Sequence, residues 1–436
     1  MKPEFIIIGI SDAPEPHFAA EALERICKGK VFSGGKRHHE IVRRWLPESA
    51  VWIDITAPLD AVFEQYQQYF EQANADATTN NESAIVVFAS GDPLFFGFAN
   101  TIRRKMPNAT ITLYPYFNSL QMLAHRLVLP YHDMKIVSLT GRPWHEFDAA
   151  LIGDEKKIGV LTDGNHTPAA IAQRMNDYGF DDYTMAVGER LGNPKEERIH
   201  RLTLKEASER EFAMPNCVIL QKEERQETSK DNRQATAHGT APTHRFLGIP
   251  DLLFDLLDGR EKMITKAPIR LLTLASLELQ NRHSFWDIGF CTGSVSIEAK
   301  LQFPHLHITA FEIREEGKSL MDTNSRRFHA PGIDTVIGNF LEADTSQYAQ
   351  PDAVFIGGHG GKLEEIVRKA AETMTSGGIL VYNCVAPSSV TDARIRTDSR
   401  ERFEKTAMQC GMTIEEPLHV AINDYHPIDI LKAKKP

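Results

Sequence analysis

The segment Asp287-Ile288-Gly289-Phe290-Cys291-Thr292-Gly293-Ser294-Val295-Ser296-Ile297-Glu298 decides the fold. The apolar run Phe285–Ile288 reads as a strand, and an amphipathic helix follows the turn. Glycine lets backbone turn tightly and approach a ligand without a Cβ clash. The helix start beyond it offers free N–H groups and the positive end of the helix dipole. The next run, Ile308-Thr309-Ala310-Phe311, ends in Glu312. That acid stands about 20 residues beyond the turn, where a carboxylate accepts both ribose hydroxyls. A further run ends at Gly338-Asn339-Phe340, which puts Asn339 in place for an adenine edge. One glycine turn alone describes any strand–helix connection. Three such features at successive strand ends predict a nucleotide-type cofactor site, because open α/β sheets bind ligands at the carboxyl ends of their strands.

The same alternation of short apolar runs and amphipathic stretches extends both ways. Upstream, strands are expected at Phe5–Ile10, Ala84–Ala89, Thr110–Tyr114, Ile158–Thr162, Tyr183–Val187 and Cys217–Gln221. Downstream they are expected at Phe285–Ile288, His307–Glu312, Thr335–Ile337, Ala353–Ile356 and Ile379–Asn383. Continuous Val/Ile/Phe runs bounded by Gly and Asp are the mark of buried parallel strands, so both halves read as open α/β sheets. Two late runs, around Met412–Ile422 and Ile428–Leu431, fit an antiparallel edge. Between the halves, Lys222–Arg245 is polar and lacks period 2 or 3.6, so it reads as a linker. This divides the chain into domains at 1–222 and 246–436 with a linker at 223–245, and the halves show no internal repeat.

Composition fits that plan. The 436 residues are 42% hydrophobic and 25% charged, ordinary for soluble domains able to bury their own cores. Five widely spaced cysteines without C-x-x-C predict neither a disulfide framework nor a cysteine zinc site. No H-E-x-x-H or comparable histidine set occurs, so no metal is expected. No run reaches the ~18 apolar residues of a membrane span, and the start carries no signal-peptide core. A cytoplasmic protein is expected. The net charge of −10 argues against a general nucleic-acid binder and leaves any anionic substrate to local cations.

The NAD spacing G-x-G-x-x-G is absent. An acid two residues before the first glycine, D-x-G-x-x-x-G, is the habit of S-adenosylmethionine-dependent methyltransferases of Rossmann-like fold. Around it stand Gly248-Ile249-Pro250-Asp251, Met263-Ile264-Thr265-Lys266, Arg270 and Asp352-Ala353-Val354-Phe355-Ile356-Gly357-Gly358-His359-Gly360-Gly361. With these, nearly all of 246–436 resembles the decarboxylating precorrin methyltransferases of cobalamin (corrin) biosynthesis. That family usually has glycine where Cys291 stands, and a Cβ there crowds the turn. The resemblance implies cofactor contacts at Asp287, Gly289, Thr292, Gly293, Glu312 and Asn339. Gly357 and Gly358 are expected to line the substrate cleft, with His359 as an acid–base or carboxylate contact. Lys266 and Arg270 lie in an amphipathic stretch where each fits either a substrate carboxylate or a solvated helix face.

In the first half, Ala89-Ser90-Gly91-Asp92-Pro93-Leu94-Phe95-Phe96-Gly97 follows a strand. It resembles the S-adenosylmethionine loop of the tetrapyrrole (corrin/porphyrin) methylases. Asn118-Ser119-Leu120, Gly159–Gly164, Thr167-Pro168 and Val187–Gly192 match that family in order, covering about 1–222. This implies a tetrapyrrole-methylase fold of two α/β subdomains, with cofactor contacts at Gly91, Asp92, Pro93 and Ser119. The first loop, Gly9-Ile10-Ser11-Asp12-Ala13, is poorer in glycine than the family's. Ser33-Gly34-Gly35-Lys36-Arg37-His38-His39-Glu40 clusters cations after two glycines. A charge run is usually a solvated face, yet the implied substrate carries many carboxylates, so Lys36, Arg37 and His38 are expected to contact it.

Together the resemblances imply one S-adenosylmethionine per domain and two activities. The first methylates carbon 5 of a precorrin or cobalt-precorrin macrocycle. The second methylates carbon 15 and removes the ring C acetate carboxyl. Homo-oligomers are expected by family analogy. A methyltransferase acting on another acceptor, such as RNA, would show a basic face or an N-P-P-Y-type motif where Gly357-Gly358-His359 stands. A dehydrogenase would need the phosphate-binding glycine spacing, and a mere tetrapyrrole carrier would need no cofactor loop.

Overall fold

The computed structural model describes residues 2–75, 83–223, 247–260, 263–385, 390–422 and 427–436. From residue 224 on, the linker expected from the sequence lies outside the described residues. The chain divides into two compact units: Met1–Arg142 with Lys156–Gln173 and Asp182–Glu224, and Pro143–Glu155 with Arg174–Asp181 and Arg225–Pro436.

The first unit holds two sheets. One is wholly parallel, in the order β3-β2-β4-β1-β5. Its strands are β1 (Glu4–Ile10), β2 (Val31–Gly34), β3 (Val51–Asp54), β4 (Ala84–Ser90) and β5 (Thr110–Tyr114). The apolar runs of β1 and β4 pair in register at its centre, and Phe5, Ile7, Val87 and Phe88 are fully buried. Parallel strands covered on both faces need such runs. The second sheet runs β6-β7-β10-β8-β9 and is antiparallel except at β6–β7. Its strands are β6 (Lys135–Ser138), β7 (Lys157–Leu161), β8 (Tyr183–Glu189), β9 (Arg198–Thr203) and β10 (Asn216–Lys222). Charged β9, with no buried residue, closes one edge, as edge strands tend to be protected.

The second unit is built on one mixed sheet, β13-β12-β11-β14-β15-β18-β16, with β17 also paired to β18. Its strands are β11 (Ser284–Ile288), β12 (His307–Glu312), β13 (Ile333–Ile337), β14 (Ala353–Ile356), β15 (Ile379–Val385), β16 (Thr413–Ile414), β17 (Leu418–Val420) and β18 (Ile428–Lys434). The first five are parallel. β18 runs antiparallel to β15 and carries β16 and β17, so the two late runs do pair. Trp286, Phe311 and Phe340 meet edge-to-face beneath the glycine turn, with centroids 5.0–6.1 Å apart. Burying each such ring contributes roughly 1.5–3 kcal/mol. Among the described residues, no helix is long and apolar enough to cross a membrane.

Candidate functional site

In the first unit, strand order brings the chemistry together. β2, β4 and β1 are neighbours and parallel, so the loops after them converge at one end of the sheet. There a cavity of about 460 Å3 lies open, within the usual size of a small-molecule site. Ser11 and Asp12 line it after β1, Arg37 and His38 after β2, and Ser90 and Gly91 after β4. Ser119 joins them from the start of the helix Ser119–Leu127. That helix start is fixed by a reciprocal cap, Asn118 accepting from the Gln121 N–H at 2.9 Å and Gln121 Oε1 from the Asn118 N–H at 3.0 Å. Leu161, Gly188 and Leu191, from two of the segments matched to the tetrapyrrole methylases, line the opposite wall.

Close backbone approach explains the glycines here. Gly91 has φ +59° and donates its N–H to Ile10 O at 2.8 Å. A Cβ on Gly9 would lie 1.9 Å from Gly91 O and 2.7 Å from Tyr116 N. Both contacts are backbone and cannot yield. Asp92 accepts from the Leu94 N–H at 2.9 Å. It and Pro93 shape the turn without lining the cavity, and Lys36 lies exposed on the helix start, also off the lining.

Arg37 and His38 turn inward. Arg37 Nη1 donates to Asp12 Oδ1 and Nη2 to Ser90 Oγ, each at 3.0 Å. His38 Nδ1 accepts from the Gly35 N–H at 3.2 Å, and Nε2 lies 2.9 Å from Ser90 Oγ. Burial, then the adjacent Arg37 charge, holds the His38 pKa down to about 4, so the ring is neutral. Asp12 Oδ2 is buried and has no partner among the described residues.

In the second unit, the turn after β11 is shaped by two conditions. Gly289 and Gly293 have φ of +78° and +75°, in the region that favours glycine. A Cβ on Gly289 would also stand 2.6 Å from Gly358 N, so the two glycine loops pack directly on each other. Cys291 adopts φ +52° with a side chain that is buried. Its N–H donates to Glu312 Oε2 at 3.0 Å, and Glu312 Oε1 accepts from the N–H and Nη1 of Arg314, each at 3.1 Å. Thus the acid at the end of β12 is locked against the turn.

Asp287 is fully buried, and Oδ2 accepts from Ser296 Oγ at 2.6 Å. Burial pushes its pKa up to about 7. Asp287 Oδ1 and Thr292 Oγ1 are buried with no partner among the described residues. Orphaned buried polar atoms are rare unless a ligand or water completes them. Asn339 is used locally, accepting from the Leu341 N–H at 3.2 Å and donating to Glu342 at 2.6 Å.

Gly357 and Gly358 are exposed beyond β14. His359 is half-buried; its Nδ1 accepts from the Gly361 N–H at 3.1 Å, so its proton sits on Nε2, 3.3 Å from Tyr382 Oη. Burial, then the charge of Arg402, lowers the His359 pKa. Lys266 lies at the start of the helix Ala267–Ser276, its Nζ 3.8 Å from Asp251. Arg270 corrects one expectation. It is wholly buried, bonded to Glu298 at 2.5 Å, Asp251 at 3.2 Å, Thr265 O at 2.7 Å and Ile249 O. It therefore ties Ile249, Asp251 and Thr265 to the helix that starts at the glycine turn, with no exposed surface left.

Two residues were missed in the sequence. Asn324, fully buried, donates to Thr292 O at 2.9 Å and Asp255 O at 3.1 Å, holding the turn from behind. Ile313, directly after Glu312, stands 64% exposed at the strand end. The signal for Ile313 was available, as an apolar residue directly after Glu312. Nothing marked Asn324, whose role depends on packing between distant segments.

Two α/β units, each with a glycine-walled site at its parallel strand ends, define a chain of the methyltransferase class. Residues 4–208 match the family of tetrapyrrole (corrin/porphyrin) methylases, and 258–407 match the precorrin methyltransferase domain. A precorrin-6Y C(5,15)-methyltransferase [decarboxylating] of a Sinorhizobium species is 29% identical over 88% of this chain and 85% of its own length. The cobalt-precorrin-6B C(15)-methyltransferase (decarboxylating) of Salmonella typhimurium is 39% identical over 31% of this chain and 70% of its own. The crystal structure of a precorrin-6y C5,15-methyltransferase from Geobacter metallireducens, 30% identical, covers 44% of this chain and 98% of its own, with TM-score 0.38. The chain belongs to the decarboxylating precorrin-6Y C(5,15)-methyltransferase family, and the methyl donor of such methylases is S-adenosylmethionine.

Proposed function

We propose that this enzyme carries out two methylations on one corrin precursor. Residues 1–222 methylate carbon 5, and residues 246–436, joined through 223–245, methylate carbon 15 and release carbon dioxide from the ring C acetate. The observation that carries this reading is the pair of glycine turns at Gly91 and Gly289, each set against a second loop so tightly that a Cβ would collide.

Each unit fits one S-adenosylmethionine. In the second, the orphaned Asp287 Oδ1 and Thr292 Oγ1 suit the donor groups of its amino-acid end. The Glu312 carboxylate keeps lone pairs for ribose hydroxyls, and Ile313 with Asn339 suits the adenine. In the first, Gly91 and Ser119 bound the cavity, with Asp92 and Pro93 shaping the turn. S-adenosylmethionine supplies the methyl on a sulfonium that leaves readily, so no nucleophile–base dyad is required of the protein. The chain aligns the acceptor carbon and excludes water. Arg37 and His38 order the substrate side of the first cavity, with Lys36 at its approach. Lys266, Gly357 and Gly358 flank the macrocycle in the second. There His359 offers its Nε2–H, whose bond to Tyr382 is long and readily exchanged, as a hydrogen-bond donor to the ring C acetate carboxylate. No metal is needed from the protein.

The test is product mass spectrometry with purified enzyme, S-adenosylmethionine and enzymatically prepared precorrin-6B, with and without cobalt. Two added methyls less one carbon dioxide support the reading. Unchanged macrocycle in both forms overturns it.

A further inference from the structure

Ser90, the last residue of β4, stands exposed at the cavity of the first unit. A hydroxyl has two lone pairs and one proton. Both lone pairs of Ser90 are used. Arg37 Nη2 donates to Oγ at 3.0 Å, and a guanidinium cannot accept. His38 Nδ1 takes the fixed backbone N–H of Gly35, so His38 Nε2 carries the ring proton and also donates to Oγ, at 2.9 Å. Neither neighbour is able to receive the Ser90 proton, and no acceptor for it lies among the described residues. Arg37 is itself held by Asp12 Oδ1 at 3.0 Å, so the chain of donors is fixed from Asp12 to Gly35.

We propose that the Ser90 hydroxyl is the group that reads a ligand carboxylate in this cavity, and that Arg37 and His38 are positioning residues which act through it. Two donors on one oxygen, one of them cationic, turn the positive end of the hydroxyl outward and strengthen its bond to an anionic oxygen. The carboxylate comes either from the amino-acid end of S-adenosylmethionine or from a side chain of the macrocycle. The first source rests on the cofactor site proposed above, the second on the substrate proposed there.

The experiment compares Ser90→Ala and Ser90→Thr in the full chain. Calorimetry reads the Kd for S-adenosylmethionine, and steady-state kinetics read KM and kcat for methylation of precorrin-6B at carbon 5. Ser90→Ala raises one of the two constants about tenfold, the strength of one hydrogen bond to a charged group, with kcat within about twofold. Ser90→Thr restores it to within about threefold. A raised Kd assigns the carboxylate to the cofactor, a raised KM to the macrocycle. His38→Ala shifts the same constant less, and adds nothing in the Ser90→Ala background. The proposal falls if Ser90→Ala moves neither constant, or if Ser90→Thr is as impaired as Ser90→Ala. A wild type that leaves precorrin-6B unmethylated, while Ser90→Ala still raises the Kd, sinks the functional reading and keeps Ser90. With no turnover and an unmoved Kd, both are lost.

Discussion

The two glycine turns meet the same steric demand with different electrostatics. At Gly9 and Gly91, and again at Gly289 and Gly358, two loops touch backbone to backbone. Around the first pair the polar groups are Arg37, turned inward onto one oxygen of Asp12, and a neutral His38. Around the second they are acids. Asp287 is buried without a cation, and Glu312 is tied to backbone N–H groups and to Arg314. The lesson is that the glycine spacing reports close backbone approach, whatever the charge of the groups around it.

The sharpest break in the comparison comes from Arg270. Arg270→Ala leaves Glu298, also fully buried, without its partner, and the expected destabilisation is about 3–5 kcal/mol. In a chemical denaturation followed by unit-specific probes, only the second unit's transition moves. A substrate contact would instead raise KM with stability intact. Next is Gly9→Ala, whose Cβ meets two backbone atoms of the first unit. About 3 kcal/mol is lost there. Carbon 5 methylation disappears from the product mass, while carbon 15 methylation and carbon dioxide release remain.

Asp287→Asn sharpens the electrostatic side. The folded pKa of Asp287 is raised to about 7, above the unfolded value near 3.9. Between these values the folded state holds the proton and the unfolded state does not. Stability from this group therefore falls as pH rises from about 4 to about 7, by a few kcal/mol at most. Asp287→Asn flattens that slope in thermal melts of the ligand-free protein, yet weakens S-adenosylmethionine binding to the second unit about tenfold or more. The smallest effect is at Cys291, a non-glycine at φ +52°. Cys291→Gly relieves about 1 kcal/mol of backbone strain, partly offset by the lost buried thiol, and raises the second unit's melting temperature by a few degrees.

Much of the fold was legible because the central strands are long apolar runs. β1, β4, β11 and β14 stand within a residue or so of where the sequence puts them. β2, β3, β6 and β9 were not, since each is short or mostly polar without a period of two, as in Arg198–Thr203. The site divides likewise. Asp287, Gly289, Gly293 and Glu312 follow one another along the chain, so local pattern suffices to nominate them. The bonds of Arg37 to Asp12 and Ser90 span 25 and 53 positions, and only strand order brings those loops together. Arg270 misleads because a buried arginine and a solvated one look alike in an amphipathic stretch.

The central claim is two cofactor sites of different design in one chain. Calorimetric titration of the full chain with S-adenosylmethionine tests it most directly, in wild type and in Gly289→Ala, whose Cβ strikes Gly358. The account predicts two equivalents bound by wild type and one by the variant. One equivalent in wild type, or none in the variant, would contradict it.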